Sequence, residues 1–312
     1  MRKHSQSLTL ASLLAIVSIL TNIVHAREPD EIIDIWPDFA PGETTRETGT
    51  ALPSRPNDNP PATRIKDITR PQLHVFKPSA EKQNGTVVLI FPGGGYNYVV
   101  VDKEGSEAAE WLNSLGITGI VVYYRTKAEP TSKRDPSLPD HAERPLQDGQ
   151  RAIGLIRKRA GDRGIKADRI GVLGFSAGGQ AGAFVTTRFA DRAYDPLDDV
   201  DEVSCRPDFA MLLYPWNLYD EKTETLAKSV TITENTPPTF LVHTHDDGVT
   251  SLSSVMLYAA LKKQGINSEL HIYQTGGHGY GLRPVENSEV DTWPARAGDW
   301  LRGLGLVEKA DK

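Results

Sequence analysis

Ser176, Asp247 and His278 stand in settings that could do chemistry. Ser176 is the centre of Gly174-Phe175-Ser176-Ala177-Gly178. This Gly-X-Ser-X-Gly pattern follows the apolar run Ile170 to Phe175 and leads into small residues. That context predicts a sharp strand-to-helix turn with the hydroxyl lifted above a strand end. Serine is a weak nucleophile unless a base takes its proton and a third group orients the base. Both partners follow in the order acid, then histidine. The acid lies in Thr239-Phe240-Leu241-Val242-His243-Thr244-His245-Asp246-Asp247, just past an apolar run. The histidine is His278 of Gly276-Gly277-His278-Gly279-Tyr280, after the last apolar run. Neighbouring residues on an extended chain point opposite ways, so Asp246 and Asp247 cannot both face His278. Asp247 is the favoured acid because its loop position can reach the site, with Asp246 the alternative. The chemistry implied is acyl transfer through a covalent serine intermediate.

Such a reaction needs donors for the developing oxyanion. Phe91-Pro92-Gly93-Gly94-Gly95-Tyr96 follows a second apolar run, and its glycines allow bare N–H groups to approach. Gly94 or Gly95, together with Ala177 after the serine, are the expected donors. The loop lacks the Lys-Ser/Thr ending of a phosphate loop and the spaced glycines of a dinucleotide site, so no cofactor is expected. His243 and His245 could share one strand face with Asp246 and Asp247 nearby. They read as supports of the acid loop rather than a metal site, and no metal is expected. Adjacent Asp246 and Asp247 cannot flank one sugar bond as a glycosidase pair would. Tyr96, Tyr98, Trp216 and Tyr280 are the candidate substrate contacts. Glu104, Asp148 and Arg151 read as structural ion pairs or helix caps.

The elements that must hold these residues follow an alternating rhythm. Strands are predicted at about 72–76, 86–91, 117–124, 170–175, 209–215, 239–245 and 268–274. Helices are predicted at about 104–115, 145–159, 177–189, 251–263 and 291–304. Alternation of this kind predicts a doubly wound, mostly parallel α/β sheet with helices on both faces, the seven strands placed here belonging to an expected eight. The functional loops then gather at the strand C-terminal ends. The connection between 215 and 239 is too short for a large lid. Residues 27–70 are polar and proline-rich and predict an extended arm, anchored by Trp36, ahead of a catalytic domain at 71–312.

Composition narrows the partners. The 312-residue chain has a formal charge of −6 and no basic cluster, which disfavours nucleic acid and anionic membranes. Its single cysteine, Cys205, permits no internal disulfide. Residues 1–26 read as a signal peptide: Arg2 and Lys3, an apolar stretch from Leu8 to Ile23, and cleavage near Ala26. The expected location is secreted or periplasmic, with no membrane anchor after cleavage.

Several motifs together resemble one family. They are Pro92 to Tyr96, Lys103-Glu104-Gly105, Tyr123-Tyr124-Arg125, Pro145 to Arg151, Gly174 to Gly179 and Gly276 to Gly279. The chain resembles the bacterial carbohydrate-esterase-like α/β-hydrolases, of acetyl xylan and feruloyl esterase type, which are related to the hormone-sensitive-lipase-like esterases. The likeness runs from about Trp36 to Trp300. Pro92 stands where relatives carry the histidine of His-Gly-Gly-Gly, which leaves the backbone donors intact and moves the likeness toward xylan esterases. The resemblance implies a Ser176–His278–Asp247 triad and removal of acetyl or other small acyl groups from xylan-like polysaccharide. A prolyl-oligopeptidase-like peptidase and a general small-ester carboxylesterase or lipase are the alternatives.

Overall fold

The computed structural model describes residues 27–56, 58–126 and 136–308. The proposed signal peptide at 1–26 lies outside these residues, as do 127–135. Eight strands form one sheet: β1 (Glu31–Asp34), β2 (Gln72–Phe76), β3 (Val87–Phe91), β4 (Thr118–Tyr123), β5 (Ile170–Phe175), β6 (Phe209–Leu213), β7 (Thr239–Thr244) and β8 (Ser268–Tyr273). Their order is β1-β2-β4-β3-β5-β6-β7-β8. β2 runs antiparallel to both neighbours and every other pairing is parallel. At the centre, Leu89 pairs with Ile120 on one side and Val172 on the other. Every residue of β3, β5, β6 and β7 is buried. Strands covered on both faces read as unbroken apolar runs rather than alternations, which is why these four are plain in the sequence.

Five helices cover the sheet: α1 (Glu107–Ser114), α2 (Glu143–Lys158), α3 (Ala177–Thr187), α4 (Leu252–Lys263) and α5 (Trp293–Gly303). Ile153 of α2, Phe184 of α3 and Leu257 of α4 share a core with Leu89 and Val172. Leu112 of α1 and Trp293 and Trp300 of α5 share another with Ile90 and Leu173. Alternate residues of β3 and β5 thus feed opposite cores, as the period of two requires. This is the doubly wound α/β-hydrolase fold. The β6–β7 connection holds only the short hairpin Tyr219–Asp220 with Thr225–Leu226, so no helical lid stands there.

Residues 27–70 do more than wrap the domain. Ile33, Ile35 and Trp36 are buried, and β1 pairs with β2 as the sheet's outer strand. Farther along, Thr48–Ala51 and Arg64–Ile68 join Tyr98–Val100 in a separate three-stranded antiparallel sheet. The expectation of a merely extended arm is corrected here. These strands are short and half-exposed, so their backbone pairing comes from partners distant in sequence rather than from local pattern. Trp36 does anchor the segment: its Nε1 donates to buried Asp148 at 2.8 Å. Asp148 also pairs with buried Arg125, and Arg151 pairs with Asp198 and Asp201, so both are structural. Cys205 is buried, its Sγ 3.5 Å from the carbonyl of Phe189. No helix among the described residues is long and apolar enough to cross a membrane.

Candidate active site

β5 ends at Phe175, α3 begins at Ala177, and Ser176 makes the turn between them at φ 54° and ψ −120°. A non-glycine residue in this region is strained by about 1–3 kcal/mol. The surrounding backbone holds it there. Ser176 N donates to Leu213 O at 3.1 Å, while Trp216 N and Gln180 N both donate to Ser176 O at 3.0 Å. The glycine at 178 is a packing demand: a Cβ there would lie 2.0 Å from the Phe91 carbonyl oxygen. The missing side chain lets the start of α3 lie against the end of β3 and its following loop.

His278, on the loop after β8, has Nε2 2.7 Å from Ser176 Oγ and Nδ1 2.7 Å from Asp247 Oδ2. The carboxylate can only accept, so Nδ1 carries the proton and Nε2 is free to accept from the serine hydroxyl. The ring edge packs on Tyr214, with centroids 4.9 Å apart. Asp247 is buried, and its Oδ1 accepts from Val249 N at 2.7 Å. Burial pushes its pKa up, but hydrogen bonds from His243, His278 and Val249 N–H outweigh that and hold it below the usual value. Asp246 does a different task. Its two oxygens accept from Gly277 N at 2.9 Å and Gly276 N at 3.2 Å. It fixes the backbone of the histidine loop and leaves Asp247 to face the imidazole.

The two histidines of the acid segment part company. His243, within β7, is buried, whereas His245 lies past the strand end and is exposed. His243 Nε2 is 3.1 Å from Asp247 Oδ2 and 3.0 Å from Val249 O, and Nδ1 is 2.9 Å from Ser254 Oγ. Two acceptors at Nε2 place the proton there, so His243 donates to the same carboxylate oxygen as His278. Among the described residues no group of three or more His, Cys, Asp or Glu side chains is gathered to hold a metal.

In the loop after β3, Gly94 has φ 140° and Gly95 has φ 61°. A Cβ on Gly94 would lie 2.0 Å from the Tyr98 carbonyl oxygen. Gly93 N is already spent, donating to Glu104 Oε2 at 2.8 Å. The N–H groups of Gly94, Gly95 and Ala177 have no backbone partner among the described residues. Gly94 and Gly95 line a cleft of about 490 Å³ with Ser176 and His278. Glu104 is no ion pair: its Oε1 accepts from Tyr214 OH at 2.8 Å, and Tyr214 OH accepts from Gly281 N at 3.0 Å. One buried carboxylate therefore ties the glycine loop, the end of β6 and the histidine loop together.

The four aromatic candidates separate. Tyr98 lines the cleft. Tyr96 is buried with its hydroxyl donating to Gln180 Oε1 at 2.9 Å. Tyr280 is buried with its ring against Tyr214, 4.5 Å between centroids. Trp216 packs on His141 and Tyr96 at 5.2 and 6.1 Å and is not part of the cleft wall. The cleft also contains Arg55, Asp58, Arg64 and Lys103, which sequence reasoning did not single out as site residues. Three of them come from the N-terminal segment, whose pairing with Tyr98–Val100 brings them beside the serine. No local motif marks that pairing.

The fold finds a counterpart in the crystal structure of an acetyl ester-xyloside bifunctional hydrolase from Caldicellulosiruptor lactoaceticus. The two are 30% identical, the match covers 90% of this chain and 98% of that one, and the TM-score is 0.69. The chain belongs to the esterase-like α/β-hydrolases. Two further members of its neighbourhood are known by sequence. An acetylxylan esterase of Xylanibacter ruminicola is 27% identical over 266 residues, 77% of this chain and 50% of that protein. Endo-1,4-beta-xylanase B of Butyrivibrio fibrisolvens is 29% identical over 211 residues, 62% of this chain and 32% of that protein. The chain thus spans half the length of the first and about a third of the second. Residues 153–302, from α2 to α5, also match the prolyl oligopeptidase family. That segment holds Ser176, Asp247 and His278 but neither the glycine loop after β3 nor the N-terminal strands.

Proposed function

We propose that this α/β-hydrolase is a serine esterase that removes acetyl or other small acyl groups from xylan-like polysaccharide. The observation that carries the reading is the unbroken chain from Ser176 Oγ through both nitrogens of His278 to Asp247, each link 2.7 Å. Its setting beside the free amides of the glycine loop, and the acetylxylan esterase and acetyl ester-xyloside hydrolase relatives, support the substrate class. In this mechanism His278 Nε2 takes the Ser176 proton as Oγ attacks the ester carbonyl. Asp247 keeps the imidazole in the productive tautomer and balances the imidazolium. Gly94 or Gly95 and Ala177 donate to the oxyanion. His278 then protonates the leaving alcohol, and a water attacks the acyl-enzyme with the same histidine as base. Tyr98 offers a ring for a sugar at the cleft wall.

Acetate release from acetylated xylan tests this directly. The wild-type chain releases acetate, and Ser176→Ala, with unchanged circular dichroism, does not. A wild-type chain that cleaves no acetylated xylan removes the substrate claim. Export belongs to the same reading, supported by Arg2, Lys3 and the apolar stretch that follows. An exported product beginning at Arg27 would be seen by N-terminal sequencing, and an intact Met1 or a cytoplasmic product would dismiss it.

The match of residues 153–302 to the prolyl oligopeptidase family favours a second reading, a serine peptidase. The two readings divide on Xaa-Pro amides, which a peptidase of that type cleaves and the proposed esterase leaves intact while hydrolysing p-nitrophenyl acetate.

A further inference from the structure

The wall of the catalytic cleft holds three cations, Arg55, Arg64 and Lys103, against two carboxylates, Asp58 and Glu104. Lys103 stands in this wall, half-buried, with Ser176 and His278. Its stem packs over Gly281, where a Cβ would lie 3.3 Å from Lys103 Cγ. The ammonium has no hydrogen-bond or ion-pair partner among the described residues. The carboxylates whose fields reach it are Glu104 and Asp58, and the hydrogen bonds of both go to other groups. Glu104 accepts from Gly93 N and Tyr214 OH, and Asp58 binds Arg64 through both oxygens. Burial pushes the Lys103 pKa down, with Arg283 and Arg64 adding like-charge repulsion. Arg283 itself is paired with Glu107. Arg55, exposed in the cleft wall, donates to Tyr98 OH at 2.9 Å, and its guanidinium lies 5.6 Å from the Tyr98 ring centroid. It too has no carboxylate partner among the described residues.

A half-buried ammonium with no partner among the described residues costs free energy that a ligand anion would return. The chain as a whole is acidic, at −6, so a cationic wall beside the nucleophile is a local feature and not a reflection of overall charge. Neutral sugar hydroxyls would accept from Lys103 but would leave the excess positive charge of the wall in place.

We infer that the cleft selects esters that carry a carboxylate, with Lys103 as the group that binds it and Arg55 as its neighbour in the cleft wall. The inference rests on the esterase reading and names its substrate class. The carboxylate could sit on the alcohol half, as in a uronate-substituted oligosaccharide, or on the acyl half, as in a dicarboxylic hemiester.

Two pairs of esters separate these sources. One is p-nitrophenyl hemisuccinate against p-nitrophenyl acetate. The other is acetylated xylobiose with and without a glucuronosyl branch. A charged hydrogen bond in such a setting discriminates by about ten-fold or more. In at least one pair, the anionic-to-neutral ratio of kcat/KM is expected to fall about ten-fold in Lys103→Gln, to survive in Lys103→Arg, and to shrink at high salt. The pair that responds tells which half bears the carboxylate. Ratios that agree within two-fold between the wild type and Lys103→Gln in both pairs overturn the inference. If the wild type hydrolyses none of the four esters, the esterase reading falls, and equilibrium binding to Ser176→Ala decides the anion site by itself. Tighter binding of succinate monomethyl ester than of methyl butyrate, or of glucuronosyl xylobiose than of xylobiose, abolished by Lys103→Gln, upholds it. Equal binding within both pairs refutes it.

Discussion

Glu104 offers the sharpest test of how this site is held. It is buried, and it accepts from Gly93 N and Tyr214 OH, each at 2.8 Å. Glu104→Ala leaves both donors without an acceptor. Each unsatisfied buried donor costs about 1–3 kcal/mol, so the loss of stability is about 2–6 kcal/mol. For a chain of this size each kcal/mol lowers Tm by about 2–4 °C. Glu104→Gln can still accept from one donor while its amide turns to the other, so the loss is about half as large. Activity should fall more steeply than stability. Gly93 precedes Gly94 in the glycine loop, and removing one oxyanion donor elsewhere costs about 10²–10³ in kcat. A loop released from Glu104 is expected to lose a comparable factor at a temperature where the variant is still folded. Tyr214→Phe keeps the Gly93 contact and breaks the links to Glu104 and Gly281. It should cost less activity than Glu104→Ala, and the double variant should be less than additive because the two share one network. The assay is hydrolysis of p-nitrophenyl acetate well below Tm, with thermal unfolding measured in parallel. A Glu104→Ala variant within about three-fold of wild type in kcat/KM and within about 4 °C, the smallest shift expected, would refute the reasoning.

Other outcomes follow from the same geometry. Gly178→Ala places a methyl 2.0 Å from the Phe91 carbonyl oxygen, so α3 must retreat from the glycine loop. The expected cost is about 1–3 kcal/mol or more, with a disproportionate loss of kcat, and unchanged kinetics would show that α3 does not press on that loop. His243→Phe removes a donor 3.1 Å from Asp247 Oδ2, and kcat should fall about ten-fold with little change in KM; a fall confined to Tm would assign His243 to packing alone. For Asp201, burial raises the pKa, but Tyr194 OH, Leu197 N and Arg151 overcome it and leave the value lowered. A depressed carboxylate stabilises the fold above its unfolded pKa, about 3.9, and that stability is lost as pH falls through the folded value. The gap in unfolding free energy between wild type and Asp201→Asn should therefore close below about pH 4, in the window between those two values; a constant gap down to acid unfolding contradicts the assignment.

How much of this was legible depended on whether the signal was local. Central strands buried on both faces announce themselves as apolar runs, and Gly-X-Ser-X-Gly between such a run and small residues specifies a turn that few other residues could make. The order of serine, acid and histidine after separate strands is likewise written in the chain, because each reaches the site from the end of its own strand. The choice between Asp246 and Asp247 was not. It depended on Gly276 and Gly277 donating to the first and His278 to the second, contacts that join segments 30 residues apart. Tyr96 and Tyr98 look alike in sequence. Only the folded loop, with Tyr96 at φ 62° and turned toward Gln180, sends one inward and the other to the cleft. Arg55 and Arg64 gave no signal because their proximity to Ser176 arises from strands that pair across the chain. Local sequence thus determined the reacting groups and the scaffold that carries them, while tertiary structure decided which charges surround them, because long-range backbone pairing leaves no periodic trace in the residues it brings together.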